Sequence, residues 1–146
     1  MKQILLICLL TPTVLFFGCR DNAQRNLQPA IAGCDSATVM YYHTPGNPRF
    51  FNMTKVYDKG SIEVLSKAIN GKVIKPKDTC TTQGKIYFYA DKGAIYVTYF
   101  SRLDDCMTLS FMETGEKYFT KMTKGIRDSL DKWETTAKEP VSADAN

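Results

Sequence analysis

The segment from residue 85 to residue 120 constrains the fold more than any other part of the chain. Apolar side chains alternate with other residues along its predicted strands, and Asp91–Gly93, the segment SRLDD at residues 101–105 and Thr114–Gly115 interrupt the alternation as turns or reversals. Strands joined by such short turns pair antiparallel. The pattern therefore predicts an antiparallel meander with strands at residues 85–90, 94–100, 106–112 and 117–120.

The alternation also divides the strand residues between two faces. We expect helices to cover the row that contains Ile86, Phe88, Ala90, Ile95, Val97, Tyr99, Met107, Leu109 and Phe111. The second row consists of Tyr87, Tyr89, Tyr96, Thr98 and Phe100. Unless further elements cover this second row, it forms an exposed aromatic face, which is typical of a binding surface.

One further strand and two helices are predicted around the meander. Residues 37–43 are rich in β-branched and aromatic side chains and predict a strand, whereas the segment TPGNPRFFN that follows holds two prolines and predicts a loop. Amphipathic spacing predicts one helix after Asp58 and another after Thr120. The apolar stripe of the first is Ile62, Leu65, Ala68 and Ile69, and that of the second is Met122, Ile126, Leu130 and Trp133.

These elements together predict an α+β fold. It is a two-layer sandwich, in which an antiparallel meander sheet of four to five strands carries two helices packed on one face. Residues 34–137 form the single globular domain of this interpretation, and residues 138–146 form a disordered tail. The eight Tyr and eight Phe of the chain supply enough apolar area for a core in a domain of this size.

The N-terminal residues have the layout of an export signal. Lys2 precedes an apolar run from Ile4 to Phe17, broken only by Thr11–Thr13, and the chain turns polar after Cys19. A membrane-spanning helix needs roughly 20 predominantly apolar residues, so this run is too short to be one. Residues 1–18 are therefore predicted to be a signal peptide, and residues 19–33 a flexible tether.

Gly18 and Cys19 resemble the end of a bacterial lipoprotein signal, in which a small residue precedes the cysteine that is lipidated. The resemblance covers residues 1–19 alone. It implies a lipid anchor at Cys19, insertion into a lipid bilayer and a place in the bacterial cell envelope, with the outer membrane favoured and the domain on its periplasmic or surface side. Two alternatives remain open: a secretory signal cleaved near Ala30–Ala32, and an uncleaved anchor that ends at Cys19.

The cysteines indicate one disulfide. An exported domain folds in an oxidising compartment, where cysteines pair. When residues 94–100 fold back on residues 85–90, Gly84 lies near Phe100, and extension of this register brings Cys80 close to Cys106. A Cys80–Cys106 disulfide is therefore predicted. Cys34 then stays free, unless it replaces one of the two as the partner of the other.

Charge and motifs exclude several function classes. The 19 Lys and Arg residues exceed the 15 Asp and Glu residues only slightly, and the Lys-rich stretch at residues 67–77 lacks the interleaved aromatics of a nucleic-acid surface. We expect no nucleic-acid partner. The single histidine, His43, excludes a His-rich zinc centre, and no catalytic or phosphate-binding motif is present, so no catalytic residue, metal or other cofactor is assigned.

The segment YYHTPGNPRFF, residues 41–51, holds the candidate binding residues. Tyr, Phe and Arg are enriched where proteins recognise partners, and the two prolines lower the cost of ordering a loop. The candidates are Tyr42, His43, Arg49 and Phe51.

The function favoured by the sequence is that of a membrane-anchored lipoprotein. Its domain acts as a non-enzymatic module that binds an envelope protein or a glycan. One alternative is a small hydrolase-like enzyme of the envelope that uses His43 with Cys34 or an aspartate. Another is a structural or assembly component of the envelope. The oligomeric state is left open.

Overall fold

The alternating segments form the centre of an antiparallel sheet in the computed structural model, which describes residues 28–141. The elements are β1 (Cys34–Thr44), β2 (Asn47–Val56), α1 (Lys59–Ile69), β3 (Gly84–Ala90), β4 (Ile95–Ser101), β5 (Thr108–Glu113), β6 (Glu116–Lys121) and α2 (Lys124–Glu134). Every neighbouring pair of strands is antiparallel, in the order β2-β1-β3-β4-β5-β6. The α+β class with one antiparallel sheet and two helices is confirmed.

The sheet has six strands, so the predicted number of four to five is wrong. The additional strand is β2, which was predicted as a loop because of its prolines. A two-residue turn with Gly46 at a φ of 80° joins β1 to β2, and Thr44 then pairs with Asn47. Pro48 is tolerated because β2 is an edge strand, where one row of backbone groups needs no partner in the sheet.

The folded region begins earlier than predicted. Residues 29–33 form a short 3-10 helix, and Ile31 is fully buried in the core. The backbone N–H of Gln28 donates to Oδ1 of Asn70 at 2.7 Å, and Nδ2 of Asn70 donates to the carbonyl of Gln28 at 3.1 Å. The predicted tether is therefore wrong for residues 28–33, and its residues 19–27 lie outside the described residues, as does the signal peptide.

The folded region also ends later than predicted. Met53 of β2 exchanges two backbone hydrogen bonds with Lys138, at 2.8 and 3.0 Å. The predicted tail, residues 138–146, is thus ordered at its first residue, and residues 142–146 lie outside the described part. Within residues 28–141, neither α-helix is long and apolar enough to cross a membrane.

One face of the sheet carries the core. The buried residues of β3 and β5 were predicted correctly, but β4 turns its other side to the core: Thr98 lies opposite Ile86, and Phe100 lies opposite Gly84 and Leu109. The prediction for β4 was wrong because the hairpin register that pairs Gly84 with Phe100 places even-numbered residues of both strands on one face. The residues Tyr96, Thr98 and Phe100 therefore face the helices, and Ile95, Val97 and Tyr99 do not.

Both helices pack on this core face. Asp58 caps α1 by accepting a hydrogen bond from the N–H of Ser61 at 2.8 Å, and Thr123 caps α2 by accepting from the N–H of Ile126 at 3.3 Å. The buried positions follow the predicted stripes: Ile62, Leu65 and Ile69 in α1, and Ile126 and Leu130 in α2.

Arg102, just after β4, ties α2 to the sheet. Its side chain is only 12% exposed and donates from Nη1 to Asp131 and to Glu134 of α2, at 2.7 Å each. The guanidinium lies 5.2 Å from the ring centre of Tyr41 and 5.6 Å from that of Phe100. Charged hydrogen bonds and ring contacts thus meet on one side chain at the junction of sheet and helix.

The connection from α1 to β3 runs along the β6 edge. The N–H of Ile74 donates to the carbonyl of Phe119 at 2.8 Å, and Val73 bridges to Thr120. The connection then reaches the Cys80–Cys106 disulfide, whose Cα atoms are 5.3 Å apart, so the predicted pairing is confirmed. Cys34 is buried and free.

Gly84 lies in β3 where its neighbours leave no room for a side chain. A Cβ at this residue would overlap the carbonyl oxygen of Met40 and the ring of Phe100. We expect Gly84→Ala to lower the free energy of unfolding by about 3 kcal/mol, because a central strand cannot move away from both neighbours. Urea denaturation of the variant and of the original protein measures this difference in the free energy of unfolding.

Gly125 provides the matched control. A Cβ there meets nothing within 4 Å, and the residue lies in α2. Gly125→Ala should leave the protein as stable as before, or more stable by up to about 1 kcal/mol, because alanine favours helix. Equal stability of the two alanine variants would contradict the close packing at Gly84.

Candidate binding surface on the open sheet face

Neither helix covers the other face of the sheet, and only the α1–β3 connection lies over its β4–β6 end. We call this face the open face. The strand register defines its residues as Thr38, Met40, Tyr42, Phe51, Met53, Lys55, Lys85, Tyr87, Tyr89, Ile95, Val97, Tyr99, Ser101, Thr108, Ser110, Met112, Lys117, Phe119 and Lys121. Strand alternation alone places these side chains together, since each neighbours a core residue.

A single row of paired residues crosses the whole open face. It runs from Met53 to Met40, Lys85, Tyr99, Ser110 and Phe119, each directly opposite the next. Five strand spacings of about 4.8 Å make this row about 24 Å long. The face is therefore large enough to hold an extended ligand along or across the strands.

The aromatic rings of the open face are half-buried. They belong to Tyr42, Phe51, Tyr87, Tyr89, Tyr99 and Phe119. Half-burial holds each ring against its neighbours and leaves part of it accessible, so a ligand meets rings that are already ordered. Four of the six are tyrosines, which add a hydroxyl to the apolar ring.

Lysines are the charged residues of the open face. They are Lys55, Lys85, Lys117 and Lys121, and the positions of this face include no aspartate or glutamate. The helices on the other side instead mix both signs, with ion pairs such as Lys67–Glu63 and Lys124–Asp128, each at 2.8 Å. Among the described residues, no ion pair uses an open-face lysine.

Two of these lysines lie over rings instead. Nζ of Lys85 is 4.9 Å from the ring centre of Tyr87, and Nζ of Lys117 is 5.1 Å from that of Phe119 and 5.6 Å from that of Tyr99. Such cation–π contacts keep an ammonium group on the surface without neutralising its charge. The open face thus presents rings and positive charge together.

The pKa values follow from the same contacts. Burial raises the pKa of the Tyr42 phenol, and the nearby charge of Lys85 opposes that rise, while Tyr99 and Tyr87 add to it. The pKa of Lys85 is raised, chiefly by its hydrogen bond with Tyr87. The tyrosines and the lysine therefore form one electrostatically coupled cluster in the middle of the open face.

A cavity of about 300 Å³ adjoins one end of the open face. The α1–β3 connection forms one wall through residues such as Thr81 and Thr82, and strands β4, β5 and β6 form the other. Three hydroxyl residues of the sheet, Ser101, Thr108 and Ser110, line this second wall.

The structure brings together two of the four predicted binding residues. Tyr42 and Phe51 are paired across β1 and β2 on the open face. His43 is exposed, and its Nε2 is 3.0 Å from Oδ1 of Asn52, which pairs with Tyr41 on the core face. Arg49 is exposed as well, with its guanidinium 5.2 Å from the Phe50 ring.

Sequence reasoning missed the centre of the open face. Lys85 and Lys117 were not candidates, and Tyr99 was assigned to the core row. The signal was present, because the register that pairs Gly84 with Phe100 already places Tyr99 beside Lys85.

The pair Cys34 and His43 does not form a catalytic dyad. The two residues lie nine positions apart on the same strand, which separates them by roughly 30 Å. Burial, together with Asp35 and Asp91, raises the pKa of the Cys34 thiol, which disfavours the nucleophilic thiolate. Among residues 28–141, no group of three His, Cys, Asp or Glu side chains is placed to hold a metal ion.

No protein-family model, curated protein or solved structure matches the chain. The functional argument therefore rests on the geometry and charge of the open face.

The coupling within the cluster can be tested by removing its charge. Lys85→Met should raise the pKa of Tyr42 further, because the lysine charge now stabilises the phenolate and lowers that pKa. NMR titration of the Tyr42 ring carbons measures the change. Lys67→Met on α1 is the control and should leave Tyr42 unchanged; the same titration curve in both variants would show that Lys85 does not act on Tyr42.

Proposed function

We propose that the protein is a lipid-anchored lipoprotein of the bacterial envelope whose domain binds a ligand, without catalysis, through the open face. The observation that carries the binding role is one-sided coverage: both helices pack on the core face, and the opposite face combines aromatic rings with lysines that form no ion pair within residues 28–141. The anchor is proposed at Cys19, and the outer membrane is the favoured location.

The position of the domain in the chain supports such an anchor. Gln28, where the described residues begin, follows Cys19 by nine positions. Even a fully extended chain of that length spans only about 30 Å, so the domain would work close to the bilayer surface. A disulfide between Cys80 and Cys106 suits an exported domain, since exported proteins keep such bonds.

The edges of the sheet favour binding on the face rather than by strand addition. Lys138 pairs with Met53 on the outer edge of β2, and Val73 and Ile74 pair with β6. These contacts occupy backbone groups within each edge and shorten the free stretch with which an added strand could pair. The open face is then the surface that we propose for the ligand, whether this is an envelope protein or a glycan.

The anchor is tested on the native protein. Intact mass measurement of the protein purified from its own membranes should show acyl groups on a chain that begins at Cys19. Cys19→Ala should prevent acylation, so the mass of the acylated chain should be absent from this variant. A native chain with an unmodified Cys19 thiol, or one that begins after it, would remove the basis for the envelope location.

The open face is tested with two neighbouring phenylalanines. Phe51 is on the open face, and Phe50, which is 60% exposed, points to the other side of β2. With the full-length protein attached to a supported bilayer through its anchor, polysaccharide and protein fractions of the envelope are passed over the surface. Phe51→Ala should lower binding of one fraction roughly fivefold, since buried aromatics dominate such contacts, whereas Phe50→Ala should not.

Equal effects of the two substitutions would contradict binding through the open face. Tyr99→Ala, at the centre of the crossing row, extends the comparison beyond the β2 edge. It should weaken binding of the same fraction as Phe51→Ala does.

A further inference from the structure

We propose that the cavity at the end of the open face is a binding subsite for an acidic sugar unit, so that the ligand of the open face is an acidic polysaccharide. The inference rests on the proposed function, because the cavity continues the open face. It goes further by naming the ligand class and the residues that select it.

The shape of the cavity results from small residues in the sheet. Ser110 occupies the crossing row between Tyr99 and Phe119, and Ser101 pairs with Thr108 in the adjacent row. Short side chains at these positions leave a hollow, while the α1–β3 connection closes it from the other side with Thr81 and Thr82. A volume of about 300 Å³ is at the lower limit of typical small-molecule sites.

The hydroxyl groups of the hollow are suited to a sugar. Ser101, Thr108 and Ser110 are 3%, 7% and 4% exposed. Oγ of Ser101 is fully buried and has no hydrogen-bond partner among the described residues. A buried hydroxyl without a partner is costly, and a ligand that supplies one removes that cost.

The charge around the hollow selects an acidic group. Lys117 lines the cavity and has its ammonium over the rings of Phe119 and Tyr99 rather than beside a carboxylate. Lys121 pairs with Thr108 and therefore projects on the same face. The connection adds Lys77, paired with Asp105 at 3.2 Å, and Asp78. The sheet side of the hollow thus carries positive charge alone.

The composition of the open face favours a polysaccharide over a lipid surface. A membrane surface is met by protruding apolar side chains, but only Ile95 and Met112 of the exposed large hydrophobic residues belong to the open face, and the others lie elsewhere on the described part of the chain. The open face has half-buried tyrosines, which stack against flat ligands and hydrogen bond to them. Rings, hydroxyls and ammonium groups together match a chain of sugars that bear carboxylates.

The test uses two oligosaccharides with the same sugar backbone, one with free carboxylates and one with its carboxylates methyl-esterified. The full-length protein should bind oligogalacturonate, with an affinity that falls as salt is added, and should bind its methyl-esterified form at least about tenfold more weakly. Lys85→Gln/Lys117→Gln should lower the affinity for the acidic oligomer roughly tenfold. The control Lys67→Gln/Lys132→Gln removes the same charge from the helices and should have no such effect.

A second pair of variants tests the subsite itself. Ser101→Ala should weaken binding of oligogalacturonate several-fold without lowering the unfolding midpoint, because the hydroxyl has no partner within the protein. Ser110→Val should weaken it further by narrowing the hollow. Thr98→Val is the control, since Oγ1 of Thr98 is also buried and unpartnered but lies on the core face.

Three results would overturn the inference. They are equal affinity for the acidic and esterified oligomers, equal binding by the Ser101→Ala, Ser110→Val and Thr98→Val variants, and preference for phosphatidylglycerol vesicles over neutral ones with no binding of oligogalacturonate. Each differs from failure of the proposed function, which the comparison of Phe51→Ala with Phe50→Ala decides independently of the ligand used.

Discussion

One-sided coverage of the sheet is the constraint from which the rest of the structure follows. Two helices of eleven residues, each about 16 Å long, cover one face of six strands and leave nothing for the other. The fully buried side chains, among them Phe88, Phe100, Phe111 and Leu130, accordingly lie in the layer between helices and sheet. Side chains on the remaining face must be stable in contact with water and must still pack against each other. Tyrosine, lysine and threonine meet both conditions, because each has an apolar part and a polar group.

The connection between α1 and β3 links fold to site. Its hydrogen bonds to β6 protect an edge strand, and the Cys80–Cys106 disulfide holds its later part against the turn before β5. The same path brings Thr81 and Thr82 over the small residues of β4 and β5 and thereby forms the cavity. Arg102 has the corresponding role for α2, because its two carboxylate partners and two aromatic neighbours fix the helix at the end of β4. The α1–β3 connection thus both protects the β6 edge and forms the hollow on the open face. Arg102 fixes the position of α2.

Much of this fold could be predicted from local patterns. Helix caps, apolar stripes and alternation identified both helices and the strands β1 and β3 to β6, and the β3–β4 register identified the disulfide. The strand β2 was missed because its prolines resemble a loop, and only pairing along the length of β1 makes it a strand. The faces of β4 were exchanged because alternation within one strand does not say which side is buried; the register across the hairpin does. Tyr42 and Phe51 were found as candidates, whereas Lys85, Ser110 and Lys117 come onto one face only when strands β3 to β6 are aligned.

The sequence by itself determined both helices, five of the six strands, the disulfide and the aromatic content of those strands, because spacing, capping and turn residues act over a few positions. Only the tertiary structure decided which aromatic residues remain accessible, which lysines lack carboxylate partners and where the hollow lies. Those properties depend on contacts between residues far apart in the chain, such as Met40 with Lys85 and Met53 with Lys138, and on which face two short helices cover. Local preferences carry no information about such distant pairs, since pairing is chosen by burial across the whole sheet.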